Sequence, residues 1–314
     1  MNTQGQAVLL LACFGVDAEP WARAFATLAP DVDLRGADAP GPPDEIDYVL
    51  AWNVPAGGLR AYARLKAVFS LGAGVDGLVG RPDLGETPVV RMVDESLAQG
   101  MVEYVLMSVL RHHRDAALYA RQQARKLWIP HRPPLAQDRV VGVLGLGELG
   151  GPCASALAGI GFQVRGWART PRSLPGVEVF WGAAGLSRLL QGCEILVCLL
   201  PLTPDTAGLL DADLFARLPR GACVINVGRG AHLVEADLLA ALDSGQVAGA
   251  TLDVFDREPL AADHPFWTHP SVVVTPHASA FTHPESAAAK VVADIRRIEA
   301  SRTPTHLVDR SRGY

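Results

Sequence analysis

The stretch that most constrains the fold is residues 140–150, which read VVGVLGLGELG. A short apolar, β-branched run is followed at once by Gly-x-Gly-x-x-Gly and then by a helical pattern. Such a strand, turn and helix typically hold the pyrophosphate of a dinucleotide at the helix N-terminus. A second apolar run at 162–167 arrives where the next strand of that unit is expected. The alternative is an ordinary β-turn-α unit without a ligand.

Each residue of the turn has a role in the dinucleotide hypothesis. Gly145 makes the tight turn, Gly147 lets the pyrophosphate approach the backbone, and Gly150 lets the helix pack closely on the strand. The amides of Glu148 and Leu149 begin the helix and point toward the anion.

Residues 162–171, FQVRGWARTP, lack the acid that usually binds a ribose hydroxyl at this distance from the glycine turn. Ala168 stands there, followed by Arg169 and Thr170. A carboxylate would repel a 2′-phosphate, whereas an arginine pairs with it and a threonine hydroxyl donates to it. The pattern predicts NADP (NADPH) as the preferred cofactor and NAD as the alternative. A solvated arginine after a strand is the competing interpretation.

Apolar β-branched runs alternate with helical patterns along the 314 residues, too many for one ordinary core. We therefore expect an α/β fold of two domains, Rossmann-like and flavodoxin-like, with mostly parallel sheets. The expected boundaries give a substrate domain of residues 1–97 plus 285–314 and a dinucleotide domain of 98–284. The expected strands are 7–14, 48–52, 67–71, 89–93, 140–144, 163–167, 194–199, 222–227, 249–253 and 272–275.

Charge and cysteine content exclude several classes of function. A net charge of -5 argues against nucleic acid as the main partner, and no apolar run is long enough for a bilayer. The five cysteines are scattered without a C-x-x-C pair, which is typical of reduced thiols in a cytoplasmic protein. The histidines lack zinc-site spacing, so no metal is expected.

Four polar residues lie at or just beyond the ends of predicted strands, where open α/β sheets place their ligands. These are Arg229, Asp253, Glu258 and His277. Each has an ordinary alternative: a surface arginine on a tight turn, a solvated acidic loop, or a histidine bonded to backbone. The RHHR run at 111–114 is expected to form a solvated helical face.

In this order, GLGELG, NVGRG, LDVFDREPL and TPHASA resemble the D-isomer-specific 2-hydroxyacid dehydrogenase family over nearly the whole chain. SLGAGVDGL at 70–78 is similar to that family's substrate-carboxylate loop. WART, ALDSGQVAGATLDVF and the terminal VDRSRGY resemble its glyoxylate/hydroxypyruvate reductase A branch.

The resemblance implies a role for each matching residue and an active site in the interdomain cleft. Arg229 would bind the substrate carboxylate and polarise the keto group, His277 would donate the proton, and Glu258 would orient His277. The amides of Ala73 and Gly74 would hold the carboxylate, and Trp52 would form a wall. The remaining cofactor-binding residues implied are Trp167, Leu200, Pro201, Thr206, Val227, Gly228, Asp253 (beside the nicotinamide) and Ser279.

The family also implies a homodimer through the helical stretch 97–127. A further hypothesis places Trp128, on the following arm, in the partner's active site; ordinary core or interface packing is the alternative.

The leading functional prediction is an NADPH-preferring reductase that transfers hydride to small 2-keto acids such as glyoxylate or hydroxypyruvate. Two alternatives stay open. One is a non-enzymatic NAD(P)H-sensing regulator of the same fold, and the other is a reductase of bulkier aromatic 2-keto acids.

Overall fold

The computed structural model describes residues 6–310 and 312–313, which separate into two compact units. Unit 1 is Met1–Leu97 with Phe281–Tyr314, and unit 2 is Ala98–Ala280. The predicted N-terminal strand is present from Ala7, whereas Ser311 and Tyr314 of the terminal VDRSRGY motif lie outside the described residues.

Unit 1 contains a five-stranded parallel sheet in the order β2-β1-β3-β4-β5. This is the flavodoxin-like order. Its strands β1, β3 and β4 are mostly apolar and almost fully buried, as is typical of a parallel sheet. The elements are β1 (Ala7–Cys13), α1 (Glu19–Leu28), β2 (Val32–Gly36), β3 (Tyr48–Trp52), β4 (Ala67–Ser70), β5 (Val89–Val90) and α8 (Pro284–Glu299).

Unit 2 contains a seven-stranded sheet whose paired strands are all parallel, in the order β12-β11-β10-β9-β6-β7-β8. The order reverses between β9 and β6, and ligands of such sheets bind beyond the strand ends near that switch point. The strands are β6 (Val140–Leu144), β7 (Gln163–Ala168), β8 (Val177–Trp181), β9 (Ile195–Cys198), β10 (Ala222–Asn226), β11 (Val247–Leu252) and β12 (Val272–Val274).

The helices that follow these strands are α4 (Gly150–Ile160), α5 (Gly182–Leu190), α6 (Ala212–Arg217) and α7 (Glu235–Asp243). They are preceded along the chain by α2 (Glu95–His113) and α3 (Ala116–Ala124). Across residues 6–310 and 312–313, none of the helices has the length and apolar character that a membrane span requires.

All ten predicted strands are confirmed, with the largest difference at 89–93, where the strand is only Val89–Val90. The strands β2 and β8 were not expected. Both contain charged residues (two in VDLRG and one in VEVFW) and lie at sheet edges, so a fully apolar run is not required there.

The helical stretch predicted over 97–127 is present, but as two helices and not as one. Asp115 adopts a left-handed conformation, with φ of 54°, and separates α2 from α3. The solvated face predicted for the RHHR run is confirmed for Arg111 and Arg114, which are exposed, but it is wrong for the two histidines. Nε2 of His112 lies 2.9 Å from the Thr251 hydroxyl, and His113 is buried edge-on against Phe162. Burial lowers the pKa of His112 to about 4.

Candidate active site

The glycine turn after β6 has the geometry that a pyrophosphate needs. Gly145 has a φ of 93°, and a Cβ there would lie 2.7 Å from the Leu199 carbonyl oxygen. A Cβ on Gly150 would lie 1.8 Å from the Gly145 oxygen, so only glycine fits where α4 begins. A Cβ on Gly147 would meet nothing within 4 Å, which leaves the backbone open to a ligand. The turn therefore fits a dinucleotide phosphate group.

The exposed Glu148 and the half-buried Leu149 lie between Gly147 and the start of α4. Their position at the helix N-terminus agrees with the role expected of their amides.

At the end of β7 the structure places a cation and a hydroxyl at the surface. Ala168 is the last, buried residue of the strand, and Arg169 and Thr170 are the exposed residues that follow it. The indole of Trp167 donates to the Gly182 carbonyl at 2.9 Å, and the guanidinium of Arg172 donates to the Leu146 carbonyl within the glycine turn. Arg172 therefore connects this strand end to the phosphate turn.

The loop after β9 contains Leu200, Pro201 and Thr206. The Thr206 hydroxyl donates to the Pro201 carbonyl at 2.8 Å and accepts from the Thr203 amide at 2.9 Å. These bonds close the loop on itself beside the switch point of the sheet.

After β10, a buried asparagine shapes the turn that carries Arg229. Nδ2 of Asn226 donates to the Arg229 carbonyl at 2.9 Å, and its Oδ1 accepts from the Gly228 amide at 3.2 Å. Val227 is buried within this turn, and the guanidinium of Arg229 donates to the Gly228 carbonyl at 2.8 Å. The turn thus presents the arginine at the carboxyl end of the strand.

Asp253, directly after β11, is fully buried and shapes the next segment of the site. Its Oδ1 accepts from the Thr275 hydroxyl at 2.6 Å and from the Ala278 amide at 2.8 Å, and its Oδ2 accepts from the Ser279 amide at 2.8 Å. The carboxylate therefore holds both sides of the turn that carries His277. Its expected position beside a nicotinamide remains a prediction.

His277 and Glu258 form a close pair. Nδ1 of His277 lies 2.8 Å from Oε2 of Glu258, while Oε1 of Glu258 accepts from the Phe255 amide at 3.0 Å. Partial burial alone would raise the pKa of Glu258, but these two hydrogen bonds and the positive charges of His277 and Arg229 lower it below its usual range. Glu258 is therefore ionised at neutral pH.

The residues expected to bind the substrate carboxylate lie in unit 1, after β4. Ala73 and Gly74 are half-buried in a turn organised by Ser70, whose buried hydroxyl lies 2.8 Å from the Gly72 carbonyl and 2.9 Å from the Gly74 carbonyl. Trp52, at the end of β3, lies against Gly72 so closely that a Cβ on that glycine would come within 2.9 Å of the indole.

Sequence patterns did not identify the residues that hold these segments in place. Ser70, Asn226 and His232 are buried polar residues without a spacing signature, and only their contacts show their importance. Within residues 6–310 and 312–313, no group of three His, Cys, Asp or Glu side chains could hold a metal ion.

Arg229, Glu258 and His277 follow β10, β11 and β12, which are neighbours in the sheet of unit 2. A cation, a proton donor and its orienting carboxylate therefore lie along one sheet edge, continuous with the phosphate turn. That combination can stabilise negative charge that develops on a carbonyl oxygen and protonate it.

A model of the NAD binding domain of the D-isomer specific 2-hydroxyacid dehydrogenases matches residues 106–279. A glyoxylate/hydroxypyruvate reductase A from Yersinia enterocolitica is 45% identical over 305 residues, which cover 95% of this chain and 97% of that protein.

Two solved structures are similar to nearly the whole chain. A D-isomer specific 2-hydroxyacid dehydrogenase from Xanthobacter autotrophicus Py2, in complex with NADPH and MES, has a TM-score of 0.95 and 45% identity, covering 99% of this chain and 100% of that one. An NADPH-dependent glyoxylate/hydroxypyruvate reductase from Sinorhizobium meliloti, in complex with NADP and sulfate, has a TM-score of 0.93 and 39% identity, covering 98% and 100%.

Proposed function

The chain belongs to the D-isomer specific 2-hydroxyacid dehydrogenase family, and on that premise we propose that it is an NADPH-preferring reductase of small 2-keto acids. Glyoxylate and hydroxypyruvate are the substrates named for its relatives. The observation that carries the proposal is the His277–Glu258 pair, at 2.8 Å, with the charge of Arg229 near enough to lower the pKa of Glu258.

The pair determines which histidine atom handles the proton. An ionised carboxylate only accepts hydrogen bonds, so Nδ1 of His277 carries a proton and donates it to Glu258. Nε2 is then the atom that gives a proton to the developing alkoxide during reduction and takes it back during oxidation. Glu258 acts through His277 as a positioning residue.

Arg229 supplies the positive charge. Its guanidinium can bind both oxygens of the carboxylate of a 2-keto acid and stabilise charge on the neighbouring keto oxygen.

NADPH, when bound, supplies the hydride to the keto carbon. The glycine turn from Gly145 to Gly150 would hold its pyrophosphate, and Arg169 and Thr170 would bind its 2′-phosphate. We also propose that the Ala73 and Gly74 amides bind the substrate carboxylate and that Trp52 contacts the substrate.

A panel assay tests this function against the two remaining candidates. We expect purified protein to oxidise NADPH with glyoxylate and hydroxypyruvate, and to do so with higher kcat/KM than with NADH or with phenylpyruvate. Preference for phenylpyruvate would indicate an aromatic 2-keto acid reductase. NADPH binding without turnover of any keto acid would indicate a sensor and contradict the proposed function.

We further propose a homodimer formed through α2, α3 and the arm at 125–135. Apolar side chains that would ordinarily be buried are exposed there: Met107 (54%), Leu127 (47%), Trp128 (97%), Ile129 (50%) and Leu135 (64%). So many exposed large apolar side chains along one segment of the chain favour an interaction surface. The arm is anchored at its base, because the His131 amide donates to the Tyr119 hydroxyl at 2.9 Å.

Replacing Trp128 with alanine tests both the dimer and the hypothesis that this side chain reaches the partner's active site. Light scattering of wild type is expected to give twice the 33.3 kDa chain mass. If Trp128 contacts the partner's substrate, the W128A dimer should show a higher KM for keto acids. Trp267→Ala, which changes another half-exposed tryptophan outside the arm, is the control. Unchanged kinetics in W128A would contradict the active-site hypothesis, and a monomeric wild type would contradict the dimer.

We propose a cytoplasmic location on the basis of the cysteines. All five are free thiols, and burial raises the pKa values of Cys13 and Cys153 to about 12. Buried, uncharged thiols of this kind suit a reducing compartment.

A further inference from the structure

His232 is a fully buried histidine whose two ring nitrogens both face backbone groups of the candidate site. It ends the short helical turn Gly230–His232, three residues after Arg229. Its Nδ1 accepts a hydrogen bond from the Arg229 amide at 3.1 Å, and its Nε2 lies 3.3 Å from the Pro201 carbonyl oxygen. Arg229 belongs to the proposed substrate site, and Pro201 belongs to the loop expected to contact the cofactor.

These two partners determine the chemical state of the ring. A backbone amide can only donate, so Nδ1 must be unprotonated; a carbonyl can only accept, so Nε2 must carry the proton. His232 is therefore a neutral imidazole with one tautomer. If Nδ1 were protonated, its N–H would face the N–H of Arg229, and neither donor would have an acceptor. This residue is suited to hold backbone in place and not to exchange protons.

The surroundings leave the ring little freedom to move. A Cβ added to Gly228 would lie 3.1 Å from the ring atoms Cε1 and Nδ1, so the imidazole packs directly on the turn before Arg229. The Pro201 carbonyl also accepts the Thr206 hydroxyl, at 2.8 Å, which fixes the acceptor that orients Nε2. Nδ2 of Asn226 donates to the Arg229 carbonyl, so both the amide and the carbonyl of Arg229 are held by buried side chains.

We propose that His232 is a positioning residue for Arg229. Its Nδ1 holds the Arg229 amide, and the Pro201 carbonyl keeps the ring in the tautomer that can do so. Loss of the acceptor leaves a buried N–H without a partner, and the turn that aims the guanidinium becomes free to rearrange. Because this inference rests on the proposed function, its test needs a binding measurement that does not depend on turnover.

Two amide substitutions separate the two ring nitrogens. In H232N, Oδ1 lies near the position of Nδ1 and can still accept from the Arg229 amide. In H232Q, the amide group lies near the position of Nε2, so it can reach Pro201 but not the Arg229 amide. H232A removes both contacts. The control is H264N, which changes another largely buried histidine of unit 2, bonded to Glu235 at 3.1 Å and outside the site.

For each variant we would measure kcat and KM for glyoxylate, the Kd of NADPH, and the Kd of oxamate, an unreactive 2-keto acid analogue, on the NADPH-loaded protein. We expect H232Q and H232A to weaken oxamate binding and to lower kcat/KM about tenfold or more, as for an unsatisfied buried donor. NADPH binding should stay near the wild-type value in H232Q, which keeps the contact to Pro201. H232N should retain most of the wild-type oxamate affinity and kcat/KM. H264N should retain both in full.

Wild-type activity in H232Q would overturn the proposal. So would a loss in H232N as large as that in H232A, because the ring would then only fill space. If H232A does not fold, the comparison of H232N with H232Q decides alone. A wild type that binds oxamate but reduces no keto acid would refute the proposed function and leave His232 to be judged by oxamate affinity. A wild type that does not bind oxamate would overturn both.

Discussion

Replacing His277 with asparagine is expected to lower kcat for glyoxylate reduction about 100- to 10,000-fold, the range of a lost general acid. NADPH affinity should be retained, because the phosphate turn and the end of β7 are untouched. Asparagine is the suitable replacement since His277 has a φ of 53°, and asparagine tolerates this left-handed conformation better than alanine. The measurements are steady-state kinetics and NADPH binding by fluorescence.

The matched control is His264→Asn, which removes a histidine paired with Glu235 in the same unit. It should leave kcat within about threefold of the wild-type value, as expected for a substitution outside the candidate active site. A His277→Asn protein with near wild-type kcat would show that another group donates the proton and would contradict the assigned mechanism.

Glu258 adds a pH dependence whose sign follows from its lowered pKa. Its charge is present at neutral pH and is lost only as the pH falls through that lowered value. In Glu258→Gln the charge is absent at every pH. The ratio of wild-type to variant kcat/KM should therefore be largest near neutrality and shrink toward acid pH, whereas a purely structural effect would give a constant ratio.

Sequence patterns predicted the sheets well because the central strands are buried on both faces. Runs such as residues 140–144 and 195–198 are apolar throughout, which makes them easy to recognise. The edge strands β2 and β8 carry Asp33, Arg35 and Glu178 among their residues, so their local pattern indicates a loop as readily as a strand. Only their pairing with β1 and β7 identifies them.

The break between α2 and α3 is likewise not identified by the local sequence pattern. Neither glycine nor proline marks the interruption at Asp115. Aspartate adopts the left-handed conformation found there more readily than most residues, but a single aspartate is too weak a signal to predict the break. Periodicity therefore predicted a longer helix than the chain forms.

The residues of the candidate active site are predicted from their position at the ends of strands. The sequence predicts Arg229, Glu258 and His277 as site residues because each follows a predicted strand, and parallel neighbours bring such residues to one edge of the sheet. The supporting residues could not be found in that way. His232 acts through backbone groups of Arg229 and Pro201, and a contact across 31 positions has no signature in a single sequence.

The end of β7 carries the second large prediction, on the choice of cofactor. Ala168 closes the strand where an acid would bind a ribose hydroxyl, and Arg169 is exposed directly after it. A charge-assisted hydrogen bond from Arg169 to a 2′-phosphate contributes about 1.5–3 kcal/mol, which corresponds to roughly 10- to 100-fold in affinity. NADH has no 2′-phosphate and cannot make this bond.

We therefore expect Arg169→Ala to raise KM for NADPH about 10- to 100-fold and KM for NADH by less than about threefold, the range of a lost surface charge. Arg188→Ala removes an exposed arginine that lies over Phe180 in the same unit and controls for net charge. Ala168→Asp should act in the same direction, because its carboxylate would repel the phosphate and could accept from a ribose hydroxyl. Equal changes for NADPH and NADH in Arg169→Ala would show that this arginine does not select the cofactor. The preference would then have to come from elsewhere along the strand ends.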